Sequence, residues 1–412
     1  MNPEALNGIE LGMCTIQHMI GRGGLGVVFQ AQQAHSQRSV ALKVLLPSAT
    51  LSSEQRTLFL QRFRRDMPVV ASLRHTNILP VEEYGERDGV VYLVMSHYTG
   101  GTLQDVLANA GPLAWSDLMY YLDQMAAAID YAQERGVLHR NIKPANVLLA
   151  TDGSLVVTDF GLVDIVTEGL APQELLLGAS GPRVTPDYIA PEQVMGEAVD
   201  GRADLYSLGV ILYQMVTGKM PFPGTTAVYI AAQHVQLLPP SPRALRTDLP
   251  PAAEEVILQA MAKKASHRYA RAQDIAGAFR SALMTANIAL QAGQKQSMTG
   301  AAEVKTPPIE DASQPSTGAI PLWSKRLRSE MHSTMTAGKR AMPEQFSPTV
   351  TTSTAHMLNT TRVLPEMQQL ATSEAGTPSA ISSTRSNFPR SLKLELRMHC
   401  ALLESRAVLV RR

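Results

Sequence analysis

The chain has 412 residues, 37 Lys plus Arg against 36 Asp plus Glu, a formal net charge of +1, and 45% hydrophobic residues. That length allows two or three domains and a sizeable core, while near-neutral charge argues against a nucleic-acid or membrane-surface protein chosen by bulk electrostatics. Cys14 and Cys400 are its only cysteines, far apart and without metal-ligand spacing, so neither a disulfide framework nor a zinc site is implied and a reducing cytoplasm is expected.

In chain order, the first ten residues lack the basic and apolar runs of a signal peptide. Nowhere do about 18 apolar residues follow one another, so no membrane span is expected. Gly12 to Gln33 reads as strand, glycine turn and strand, with Gly21, Gly23, Gly24 and Gly26 at the turn. A dinucleotide fold would need a helix directly after such glycines, but Val27-Val28-Phe29 are strand formers. A hairpin is therefore predicted, whose backbone N–H groups a phosphate can approach; taken alone, it is equally an ordinary turn. Val40-Ala41-Leu42-Lys43 forms the next strand. Ser52 to Leu73 is predicted helical, with Ser52 and Gln55 at capping-box spacing. Pro68 should kink or end that helix, because an interior proline costs about 3 kcal/mol. Ile78–Tyr84 and Val90–Met95 read as two further strands around a turn. Trp115 to Arg135 carries Leu118, Leu122, Met125, Ala126 and Ile129 at helical spacing and stops at Gly136.

Two motifs follow: His139-Arg140-Asn141-Ile142-Lys143-Pro144-Ala145-Asn146, then Asp159-Phe160-Gly161. With the glycine turn, the Val-Ala-Leu-Lys strand and Thr185-Pro186-Asp187-Tyr188-Ile189-Ala190-Pro191-Glu192, they occur in an order that resembles the protein-kinase superfamily, and specifically the bacterial eukaryotic-like Ser/Thr kinases. The resemblance covers about Ile9 to Met284 and implies an α+β, bilobal fold. Residues 9–95 would form the small lobe, 96–284 the large lobe, and 285–412 a Ser/Thr/Pro/Gln-rich tail with too few apolar residues to fold.

The resemblance also implies site residues. Gly21, Gly23, Gly24 and Gly26 would cover the phosphates of ATP, and Lys43 would reach them, oriented by an acid on the following helix. Asp66 holds that acid position, one methylene shorter than the usual Glu. Val28 and Ala41 above and Leu148 below would sandwich adenine, with Met95 as gatekeeper and Ser96 and His97 in the hinge. Asn146 and Asp159 are the hard oxygen donors that Mg²⁺ requires, and Lys143 supplies positive charge near the transferring phosphate. Asp204 would bind the catalytic-loop backbone, Arg268 would pair with Glu192, and Arg140 with a phosphorylated activation segment, Thr167 and Ser180 being the phosphosite candidates.

One residue departs from the pattern. Where the family carries the Asp that accepts the substrate hydroxyl proton, this chain has Asn141. An amide accepts a hydrogen bond but has no basic pKa near neutrality. Three readings stay open: a Ser/Thr kinase with weakened transfer to a protein substrate, a pseudokinase that binds ATP and regulates a partner, and a non-kinase module that binds no nucleotide. A kinase-domain homodimer is compatible with the first two, and no nucleic-acid partner is expected.

Overall fold

The chain is described here by a computed structural model over residues 6–45, 52–167, 172–177 and 183–299. The tail expected to be unfolded from residue 285 is helical as far as Thr299, and residues 300–412 lie outside the described residues.

The small lobe is a six-stranded antiparallel sheet in the order β1-β2-β3-β4-β6-β5, formed by β1 (Glu10–Leu11), β2 (Cys14–Gly23), β3 (Gly26–Gln33), β4 (Ser39–Leu45), β5 (Val81–Arg87) and β6 (Val90–Ser96). Successive strand residues point to opposite faces, and both faces of β4 are buried. Val40, Leu42 and Val44 pack with Phe29 and Val94 under a cover that includes Leu6 and Leu11. Ala41 and Leu45 instead join Leu93, Met95 and the helix residues Phe59, Phe63 and Met67. Lys43, between Ala41 and Leu45, therefore sits on the helix-facing side of the sheet.

Helix α1 (Ser53–Ser72) starts at the predicted capping box, with Ser52 accepting from the Gln55 N–H and the Gln55 side chain accepting from the Ser52 N–H. It does not end at Pro68. The flanking Met67 and Val70 are buried in the main core, and their packing offsets the hydrogen bond that proline forfeits.

The large lobe comprises α2 (Leu103–Ala110), α3 (Trp115–Gln133), the hairpin β7 (Val147–Leu149) and β8 (Leu155–Val157), α4 (Leu162–Thr167), α5 (Pro172–Leu177), α6 (Pro191–Met195), α7 (Arg202–Thr217), α8 (Ala227–Gln236), α9 (Pro251–Ala260) and α10 (Ala272–Thr299). It is built on α7, buried at every residue from Ala203 to Tyr213. Gly209 permits the approach of α9, since a Cβ there would lie 2.8 Å from that of Ala260. Beside α7, Arg268 donates both terminal nitrogens to Glu192 at 2.6 and 2.8 Å, a bidentate pair almost wholly removed from water. Removing one partner of such a pair typically costs about 3–5 kcal/mol, because the other charge stays buried.

Two histidines are buried in this lobe. Burial, with Lys263 beside it, pushes His234 down to about 3, and burial likewise lowers His139. Both stay neutral in the folded chain at pH values where the unfolded chain, with ordinary pKa near 6.5, takes up protons. Their contribution to stability is complete above about pH 6.5 and is lost as pH falls, by up to about 1.4 kcal/mol per unit for each histidine. Urea unfolding at pH 7.5, 6 and 5 should therefore show a progressive loss of stability, and a flat profile would contradict it.

Candidate active site

The catalytic-loop residues hang from one buried carboxylate. Asp204, 1% exposed, accepts the backbone N–H groups of His139 at 2.9 Å and Arg140 at 2.7 Å, and Gln133 Nε2 at 3.3 Å. These bonds support Arg140 at φ +58°, a left-handed conformation that non-glycine residues rarely adopt. His139 closes the loop from the other side. Its Nδ1 accepts from the Asn141 N–H at 3.3 Å, so Nε2 carries the proton and donates to the Thr158 carbonyl at 2.9 Å. Thr158 precedes Asp159, so one imidazole ties the two motifs together.

Asn141 is 6% exposed. Its Oδ1 accepts the Thr185 N–H at 3.2 Å, and its carbonyl accepts from Asn146 Nδ2 at 3.0 Å. Its partners among the described residues are thus His139, Asn146 and Thr185, none of them acidic. Lys143 donates to the Thr185 hydroxyl at 2.7 Å. Burial lowers the Lys143 pKa, and nearby Lys43 lowers it further against the opposing pull of Asp159 and Asp187.

Lys43 donates to Asp159 Oδ2 at 2.6 Å in a nearly enclosed ion pair. Burial raises the Asp159 pKa, but Lys43, His139 and Lys143 outweigh it and hold the carboxyl below its usual range. The acid on α1 is not the partner of Lys43. Asp66 binds Arg65 at 2.7 and 2.8 Å and lines a 420 Å³ pocket with Arg65, Arg140 and Asp164, while the adjacent Met67 is fully buried. Helix α4 packs against α1, and its Asp164 forms an ion pair with Arg140.

The remaining predicted residues gather above and behind this cluster. Val28 lies opposite Lys43, and Ala41 opposite Met95, in the strand registers. Met95 lies 3.9 Å from the Thr158 hydroxyl through its sulfur. Val28 and Leu148 pack at the edge of the main core. Ser96 donates to Glu82 at 2.7 Å, and His97 follows it after β6. The glycines play different parts. A Cβ at Gly23 would meet nothing within 4 Å and one at Gly21 only Val28 at 3.9 Å, whereas one at Gly26 would lie 2.1 Å from the Val44 carbonyl. Gly26 thus serves strand packing, and Gly21 and Gly23 leave open space. Thr167 is buried with its hydroxyl donated to the Val163 carbonyl at 2.7 Å, and Ser180 lies outside the described residues.

Two features escaped sequence reasoning. Leu162-Val163-Asp164-Ile165-Val166 is an apolar run that offers a weak signal for α4. Arg183, whose Nη1 donates to the Gly24 carbonyl at 2.9 Å across 159 residues of chain, offers none.

The protein kinase domain description matches residues 14–279. The chain belongs to the protein kinase family. Its kinase domain is 34% identical over 265 residues to the serine/threonine-protein kinase PrkC of Bacillus subtilis, covering 64% of this chain and 39% of that protein. It is 36% identical over 281 residues to the probable serine/threonine-protein kinase PknB of Bifidobacterium longum, covering 66% and 39%. The similarity to serine/threonine-protein kinase pkn3 of Myxococcus xanthus is 32% over 347 residues, covering 81% and 61%. The chain thus spans about two fifths of the length of PrkC and PknB. Among the described residues no helix is long and apolar enough to cross a membrane.

The ion-pair arrangement is testable by double-mutant cycles in urea unfolding. Lys43→Met and Asp159→Asn should show a coupling of about 1 kcal/mol or more, and Lys43→Met with Asp66→Ala a coupling near zero. A larger coupling to Asp66 would contradict the geometry.

Proposed function

We propose that this chain binds Mg-ATP as a Ser/Thr protein kinase homologue and transfers phosphate to protein hydroxyls slowly, because position 141 carries no proton acceptor. The observation that carries this reading is Asn141 itself, seated in the catalytic loop with its Oδ1 engaged by the Thr185 N–H and with no carboxylate among its partners in the described residues. General-base catalysis is typically worth about 10²–10⁴ in rate, roughly 3–5 kcal/mol of barrier. Phosphoryl transfer depends mostly on positioning and electrostatics, so loss of the base slows the step without erasing it.

In this reading adenine lies between Val28 and Ala41 on one side and Leu148 on the other, with Met95 behind it and the Ser96–His97 backbone at its edge. Gly21, Gly23, Gly24 and Gly26 form the roof over the phosphates, and Lys43 pairs with them. The residues fit a hard divalent cation: Asn146 spends Nδ2 on the Asn141 carbonyl, which leaves its Oδ1, and the Asp159 carboxylate is held ionised by Lys43. These two oxygens would hold Mg²⁺, which when bound neutralises charge on the phosphates. Lys143 orients Thr185 and adds positive charge at the transfer position. The lobes divide at residues 95 and 96, the large lobe ends near 284, and buried Cys14 is a free thiol, in keeping with a reducing cytoplasm. The other participant is a protein substrate or partner, with a kinase-domain homodimer compatible and no nucleic acid.

A second reading, a silent ATP-binding pseudokinase that regulates a partner, is favoured by the position of Asp66, which faces Arg65 instead of Lys43. Both readings require nucleotide binding. Calorimetric titration of the full chain with Mg-ATP should give saturable binding that Lys43→Met weakens at least about tenfold, and absence of binding would reject both. Transfer of labelled γ-phosphate at about 1–100 s⁻¹, the usual kinase range, would reject the slow-transfer reading.

A further inference from the structure

The two edges of the small-lobe sheet are guarded differently. At one edge lies β5, where Glu82, Glu83, Glu86 and Arg87 fill four of the seven positions. Charged side chains of that kind keep an edge strand from pairing with further chain. The other edge has no such guard. There β1 pairs only with Cys14 and Thr15 of β2, and Gly8 and Ile9 extend the cover as far as Ile16. From Gln17 to Gly23 the outer side of β2 has no backbone partner among the described residues. None of residues 11–21 is Asp, Glu, Lys or Arg, and Ile9, Met13, Met19 and Ile20 are each 40–47% exposed. An uncharged, partly apolar edge with unpaired N–H and C=O groups is a template for an added strand.

We infer that residues 392–400 of the same molecule dock on that edge as the added strand. The stretch lies outside the described residues, and three observations connect it to β2. First, its sequence is apolar at Leu392, Leu394, Leu396, Met398 and Cys400 and polar at Lys393, Glu395, Arg397 and His399. Strict alternation is the pattern of a strand with one apolar face, and nine residues at about 3.3 Å each are enough to span the uncovered run of β2. Main-chain bonds would then satisfy the outward groups of β2, while the apolar face covers the exposed side chains beside them. Second, 92 residues separate Thr299 from Leu392. Their maximal span is about 300 Å, so the tether reaches any face of the domain and makes the encounter intramolecular. Third, residues 300–412 carry 14 Lys and Arg against 9 Asp and Glu, whereas residues 1–299 carry 23 against 27. Opposite net charge favours the approach of tail to domain at low salt. A second copy of the domain would be like-charged and untethered.

The docking has a consequence for the cleft. Strand β2 runs directly into the glycine turn, so a strand seated on it would brace that turn from outside. This requires no nucleotide and stands apart from the reading above.

The test is hydrogen exchange of the full chain read by mass spectrometry, comparing wild type with Leu394→Asp/Leu396→Asp and with Met19→Asp at two protein concentrations tenfold apart. In wild type, residues 17–23 should exchange at least about tenfold more slowly than in the double variant, equally at both concentrations, with β4, β5 and β6 unchanged. Met19→Asp should likewise speed exchange at residues 392–400, its β4 amides reporting that the sheet is folded. Should Met19→Asp unfold the small lobe, the double variant, altered only outside the described domain, still decides. Equal exchange of residues 17–23 in wild type and the double variant would overturn the inference. Protection there that falls on dilution would overturn it in favour of a second copy, and a change confined to residues 81–87 would overturn it in favour of the opposite edge.

Discussion

Two adjacent peptide N–H groups, those of His139 and Arg140, end on the carboxylate of Asp204. Everything the cleft presents depends on that arrangement. It fixes the loop in a left-handed turn at Arg140, directs His139 to the Thr158 carbonyl, and thereby sets the distance between the loop and Asp159. None of these contacts involves the side chain of residue 141. The loop therefore keeps its shape whether that side chain ends in a carboxylate or an amide, and Asn141 still supplies an oxygen to the Thr185 N–H. The structural part of the residue's task survives the replacement; its capacity to take a proton does not.

The charged side chains of the site are paired among themselves. Lys43 and Asp159 neutralise each other at 2.6 Å, and the acid on α1 turns to Arg65. Helix α4 lies against α1, and Asp164 occupies Arg140. In this arrangement neither Asp66 nor Arg140 has the partner that the family resemblance assigns to it. In the proposed reading, a nucleotide entering the cleft would compete with Asp159 for Lys43, linking the seating of phosphate to release of that pair. Direct contact of Lys43 with Asp66 would require α1 to move, because its sheet-facing positions are filled by Phe59, Phe63 and Met67.

Much of this architecture is legible in the sequence. Alternating apolar residues with Val-Ala-Leu-Lys mark β4, a capping box marks the start of α1, and the spacing of the His-Arg-Asn and Asp-Phe-Gly motifs places the loop and Asp159. Those signals are local or have fixed spacing. Pro68 misleads, because a local rule predicts a break where Met67 and Val70 supply tertiary packing that propensity does not include. The partner of Lys43 is not legible either, since two acids lie within the same motif framework and their choice depends on how α1 and α4 pack. Arg183 is the extreme case: nothing in its own stretch of sequence announces a contact with the Gly24 carbonyl across the fold.

The central proposal is that position 141 lacks the proton acceptor while Lys43, Lys143, Asn146 and Asp159 remain to serve transfer. A single-turnover assay of labelled γ-phosphate transfer to a Ser/Thr acceptor, comparing the wild-type chain with Asn141→Asp at saturating Mg-ATP, addresses it most directly. The account predicts that the reversion raises the rate by about 10²–10⁴-fold with nucleotide affinity little changed. Equal rates in the two chains would contradict it.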